Sequence, residues 1–154
     1  MGAIHDHIRS ADFDKVLGVI KNDPKSVNSK DEKGFTALVL ASYHGHIDLT
    51  QLLLEHGSQI DLQDGMGNTA LMGVTFKGYE ELAKILLEKG ANPNAINNSG
   101  ASPIIYAVMF GKTNLAKLLI DAGADLTFKD NNGNTPADLA KNQGNTEMYN
   151  LLTE

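Results

Sequence analysis

Between Asp64 and Ile96 the apolar positions follow a helical rhythm that is interrupted twice. Leu71 and Val74 lie three apart after Thr69; Gly78 breaks the run; Leu82, Ile85 and Leu86 then resume it at i, i+3 and i+4 until Gly90. Residues three and four apart share one face of a helix, and glycine reaches the left-handed dihedrals that end one. The stretch therefore predicts a short helix, a break, a second amphipathic helix and a loop. The same succession recurs 33 residues away in both directions: Gly67 has counterparts at Gly34, Gly100 and Gly133, and Gly78 at Gly45, Gly111 and Gly144.

Reading the other copies against this one divides the chain. Residues 31–63, 64–96 and 97–129 are full repeats, 1–30 an N-terminal capping repeat and 130–154 a C-terminal capping repeat, together one domain. In residues 31–63, Asp31 and Gly34 hold the first and fourth places of a turn. Thr36 then stands as an N-cap ahead of Leu38 and Ala41, and Ile47, Leu49, Leu52 and Leu53 form the second stripe. Thr69, Ser102 and Thr135 take the same capping position, and Pro103 falls in the first helical turn, where a missing N–H costs nothing. Ala41, Val74, Ala107 and Ala140 are small enough for neighbouring helices to approach closely. The first repeat matches mainly in its second half: Val16, Val19 and Ile20 precede Leu49, Leu52 and Leu53 by 33, but Asp12 stands where Gly45 stands. Polar residues such as Arg9, Asp14 and Lys21 suit an end that has no neighbour. No unit has enough apolar surface to be stable alone, so the copies are expected to stack on one continuous core.

These residues resemble the ankyrin repeat family over nearly the whole chain. Its turn and helix start are echoed by Asp130-Asn-Asn-Gly-Asn-Thr-Pro136 and Asp31-Glu-Lys-Gly-Phe-Thr-Ala-Leu38. Its Gly-His pair appears as Gly45-His46, and its repeat ending as Leu119-Ile-Asp-Ala-Gly-Ala-Asp125. The family's histidine near the start of the first helix is replaced by Val39, Met72, Ile105 and Asp138. The resemblance implies an all-α solenoid of stacked helix-turn-helix units joined by β-turn loops, with a concave groove formed by turn tips and first helices. It also implies non-catalytic protein binding.

Composition narrows the picture further. The 154 residues are 42% hydrophobic and 21% charged, as a globular domain requires, and the net charge of −6 with no basic run argues against nucleic acid or an anionic membrane as the main partner. There is no cysteine, hence no disulfide, thiolate metal site or thiol nucleophile. Met1 to Ser10 lacks the apolar core of a secretory signal, and Asp6 stands where a myristoylation motif needs Ser or Thr. No run reaches the ~20 apolar residues needed to span a bilayer. A cytoplasmic location is expected. The histidines, at 5, 7, 44, 46 and 56, do not have the spacing of a helical zinc site, and no glycine-rich phosphate loop is present, so no metal or other cofactor is expected.

By the resemblance, the variable contact positions are the turn tips and the two residues before each mid-repeat glycine. The partner-binding candidates are Glu32, Lys33, Phe35, Tyr43 and His44; Met66, Asn68, Phe76 and Lys77; and Ser99, Met109 and Phe110. Gly65, Asn98, Ala101 and the Asn131, Asn132, Asn134, Asn142 and Gln143 group hold matching positions. Tyr43, Phe76, Met109 and Phe110 concentrate aromatic and methionine side chains at helix ends, although the chain has only five Phe and four Tyr. Exposed apolar residues with a polar rim mark partner sites, whereas rings packed on one another along the solenoid would merely close the groove. The expected function is an adaptor, inhibitor or assembly factor holding a protein partner. The chain is expected to be a monomer, with a second copy in the groove as the alternative. Two other readings compete: a small-molecule-binding or enzymatic protein on the same scaffold, and a spacer that binds through its end caps.

Overall fold

The structure, a computed structural model, describes residues 3–154. Among them are ten α-helices in five pairs: α1 (Ala3–Arg9) and α2 (Phe13–Asn22), α3 (Ala37–Tyr43) and α4 (Ile47–Glu55), α5 (Ala70–Lys77) and α6 (Glu80–Glu88), α7 (Pro103–Met109) and α8 (Thr113–Asp121), α9 (Pro136–Asn142) and α10 (Thr146–Thr153). The first helices pack on one another in the order α1, α3, α5, α7, α9, and the second helices flank them as an outer layer. A 3-10 turn, Pro24–Asn28, follows α2.

Side-chain caps mark the starts of α3, α5 and α9. Thr36, Thr69 and Thr135 have extended backbones and accept the N–H of Val39, Met72 and Asp138 on their hydroxyls. Ser102 has the same backbone geometry but its hydroxyl makes no capping bond, and the Ile105 N–H turns to the Ser102 carbonyl at 3.1 Å instead. Where the family's histidine is absent, Val39, Met72 and Ile105 are buried, and Asp138 completes a capping box with Thr135. The turns are braced from another position: Asp64 Oδ1 accepts the N–H of Met66 and of Asn68, both at 2.9 Å, as Asp31 and Asp130 do in their own turns. Adjacent turns then join, Gly65 N–H donating to the Gly34 carbonyl and Asn98 N–H to that of Met66, each at 3.0 Å.

Stacking buries two side-chain rows that run through all five pairs. Val16, Leu49, Leu82, Leu115 and Met148 form one; Ile20, Leu53, Leu86, Leu119 and Leu152 the other. Each buried side chain of this size contributes ~1.5–3 kcal/mol from apolar surface removed from water. Ala41, Val74, Ala107 and Ala140 are fully buried between the layers.

The first repeat departs from the 33-residue count. Its left-handed break falls on Ala11, at φ 56°, and Asp12 is the N-cap of α2, its side chain accepting the Lys15 N–H at 3.2 Å. Asp12 therefore matches His46, and Ala11 matches Gly45. The reason is helix length: α2 has 10 residues where α4 has 9, so the break moves one place while Val16 and Ile20 stay in the core rows. The same slip puts His5 opposite Val39 and Arg9 opposite Tyr43. His5 is fully buried with Nε2 3.1 Å from the Ser29 carbonyl, so the histidine missing from the later repeats is present in the first.

Candidate functional site

The turn tips and the exposed sides of α1, α3 and α5 enclose a concave groove of about 990 Å³. Its floor is apolar: Phe35, Val39, Leu40, Tyr43, Met66, Met72, Phe76 and Tyr106 line it, with the bare backbone of Gly73 among them. Leu40, Gly73 and Tyr106 are 33-residue counterparts, so the middle repeat lacks the side chain its neighbours carry. Tyr43 occupies part of that space; a Cβ on Gly73 would lie 3.4 Å from its ring.

The rings form a continuous set. Tyr43 and Phe76 stack with centroids 6.5 Å apart, Phe76 meets Phe110 edge-on at 5.1 Å and Tyr106 at 6.0 Å, and Tyr106 lies parallel to Phe110 at 6.4 Å. They are nevertheless open to solvent: Phe76 and Phe110 are each 44% exposed, Met109 46% and Met66 63%. Packing between repeats and exposure in the groove thus coexist on the same side chains. Lys77 Nζ stands 5.0 Å above the Tyr43 ring and 5.9 Å from that of Tyr79, in cation–π geometry.

Charge collects at the end of the groove nearest α1. Asp6, Asp31 and Glu32 line it with Arg9 and Lys33, while Asp64 is buried in the turn before α5. Arg9 reaches out of the capping repeat to pair with Asp31 and lies 3.2 Å from Asp6. Burial pushes the Asp31 carboxyl up, but the Phe35 N–H, the Arg9 guanidinium and the Lys33 N–H outweigh it and hold its pKa below the ordinary value. His44 is lowered by burial and by the positive charges of His46, Lys77 and Arg9.

Of the positions expected from sequence, Glu32, Lys33, Phe35, Tyr43, His44, Met66, Asn68 and Phe76 are brought together in the groove. Lys77, Ser99, Met109 and Phe110 are exposed outside its lining, Lys77 over the Tyr43 ring and the other three toward α7. Phe110 joins the groove rings through Phe76, and the backbone carbonyls of Ser99 and Met109 accept side-chain amides from Asn131 and Gln143 in the next repeat. Sequence reasoning passed over Arg9, Gly73 and Tyr106. The 33-residue count, extended to Leu40 and Tyr106, was a signal for Gly73; the one-residue slip hid Arg9.

Comparison with known proteins settles the family. The profile described as "Ankyrin repeats (3 copies)" matches residues 4–97 and 79–154. The chain belongs to the ankyrin repeat family. Ankyrin repeats are general protein-interaction modules and typically carry no catalysis of their own. Individual relatives match over short stretches. The human NAD-capped RNA hydrolase NUDT12 is 36% identical over 53 residues, which are 34% of this chain and 12% of that protein. The Dictyostelium discoideum acyl-CoA-binding domain-containing protein 6 homolog is 39% identical over 49 residues, 32% of this chain and 17% of its own length. The mouse ankyrin repeat and MYND domain-containing protein 1 is 30% identical over 50 residues, 32% of this chain and 6% of its own. This ankyrin chain therefore spans a small fraction of the relatives it matches, whose names describe much longer proteins. No helix among the described residues is long and apolar enough to cross a membrane.

Proposed function

We propose that this ankyrin repeat chain is a non-catalytic binding module that holds a partner protein in its concave groove, as an adaptor, inhibitor or assembly factor. One observation carries the reading: Phe76 and Met66, which line the concave groove with its charged rim, remain 44% and 63% exposed, and Phe110, 44% exposed, meets Phe76 edge-on just outside it. Large apolar side chains grouped in this way tend to anchor partners, and a central aromatic anchor commonly contributes ~2 kcal/mol or more to binding. The charged residues at the α1 end supply orientation and specificity more than affinity.

The test is affinity capture on immobilised wild-type chain and on Phe76→Ala and Phe110→Ala variants, with retained proteins quantified by mass spectrometry. Proteins that bind the wild type and are depleted on both variants are the expected outcome. Equal recovery on all three surfaces would place binding away from the rings.

A further inference from the structure

The turn before α7 differs from the other three. Asp31, Asp64 and Asp130 each use one carboxylate oxygen to accept two backbone N–H groups of their own turn. The fourth equivalent position is Asn97, whose Oδ1 accepts the N–H of Ser99 and of Ala101, both at 3.0 Å. These two bonds fix which end of the amide is oxygen. Its Nδ2 is therefore a donor to both remaining neighbours, Asn68 Oδ1 and Tyr106 Oη, each at 2.8 Å.

The consequence passes to the groove. Asn68 has its oxygen turned to Asn97, so its own NH₂ is left over. The Tyr106 hydroxyl accepts from Asn97, so its own proton is free to be donated. Both side chains line the groove and both are partly exposed. The floor beside Gly73 thus offers two hydrogen-bond donors. Donors paired in this way suit a main-chain carbonyl.

The ends of the groove differ in charge. Near α1 the carboxylates of Asp6, Asp31 and Glu32 face two cations, Arg9 and Lys33, and Arg9 is already engaged by Asp6 and Asp31, while Phe76 at the other end is an apolar ring. Lys77 already covers the face of Tyr43, which leaves the acidic end as the place for an incoming cation. From the level of α1 to that of α5 is two helix spacings, roughly 16–20 Å, or about five or six residues of extended chain.

Resting on the groove reading above, we propose that the occupant is an extended segment of a partner protein. Its Lys or Arg meets the acidic end, an aromatic or aliphatic side chain about five or six residues away meets Phe76, and a backbone carbonyl between them accepts from Tyr106 and Asn68. Asn97 is the positioning residue that turns those donors outward.

The experiment pans a phage-displayed library of random peptides, about twelve residues long so as to exceed the span estimated above, against the full chain. Enriched peptides are expected to carry a basic and an apolar residue at that spacing; acidic or uncharged winners, or no enrichment, overturn the proposal. The enriched peptides are then titrated against Asn97→Asp and Tyr106→Phe. Aspartate serves this turn in three other repeats, so the fold should persist, checked by an unchanged thermal midpoint. Yet its carboxylate accepts from Tyr106 and Asn68 and withdraws both donors. Losing such hydrogen bonds should weaken binding about tenfold in each variant. Unchanged affinity in both defeats the donor assignment. Unchanged affinity in Phe76→Ala defeats the groove reading itself, which separates the two failures. If the chain dimerises and Phe76→Ala makes it monomeric, the occupant is a second copy and the proposed partner is wrong.

Discussion

Asp61 accepts the backbone N–H of Asn92 at 2.8 Å across the loop between repeats, and it can do no more than accept. Its counterparts make two bonds: Asn28 accepts from Gln59 N–H and donates to the Gly57 carbonyl, and Asn94 accepts from Asp125 N–H and donates to that of Gly123. The carbonyl left without a side-chain donor is that of Gly90. Replacing Asp61→Asn supplies the missing N–H in a place already shaped for it. A net gain of ~0.5–1.5 kcal/mol is expected, measurable as a rise of a few degrees in thermal midpoint.

Ala11 is the one non-glycine among the described residues with a positive φ. An L side chain in the left-handed region costs ~1–2 kcal/mol, part of which glycine gives back through the entropy of the unfolded chain. Ala11→Gly should therefore stabilise the first repeat by ~0.5–1 kcal/mol. Protection of the α1 and α2 amides from hydrogen exchange should increase, with little change in α9 and α10.

The reverse substitution at Gly67 is expected to harm. Its φ is 81°, and an added Cβ would lie 2.8 Å from the Asn98 backbone nitrogen, inside contact distance of a group held by its own hydrogen bond to the Met66 carbonyl. Gly67→Ala should cost ~1–3 kcal/mol and separate the second and third full repeats, visible as a lower and less cooperative chemical denaturation midpoint.

His5 links stability to pH. Its ring is buried, Nδ1 has no partner among the described residues, and burial lowers its pKa below 6.5 despite the Ser29 carbonyl and the Asp31 charge. The unfolded chain then binds the proton more readily than the folded one. The stability His5 permits is complete above pH 6.5 and is lost as the pH falls through that value toward the folded-state pKa. The urea midpoint should drop between pH 7.5 and pH 5.5, and His5→Phe, which removes the proton site, should flatten that slope. A slope unchanged by the substitution assigns the effect to another group.

How far these features were legible depends on how local their causes are. The caps at Thr36, Thr69 and Thr135, the breaks at Gly45, Gly78, Gly111 and Gly144 and the rows through Leu49, Leu82 and Leu115 each arise within one repeat. A spacing of 33 residues was enough to find them. Arg9 was missed because α2 is one residue longer than α4, and a count anchored on Val16 and Ile20 slips at the other end of the helix.

By itself the sequence determined the repeat, the helix pairs and the all-α fold. Their signals are dihedral preferences and side-chain periodicities that a short segment expresses on its own. Only the tertiary structure decided that Phe76 is both packed and exposed, that Tyr43 covers the bare backbone of Gly73, and that the hydrogens of Asn68 and Tyr106 are directed by Asn97. Each of these depends on side chains from different repeats meeting within bonding distance, and stacking alone brings them there.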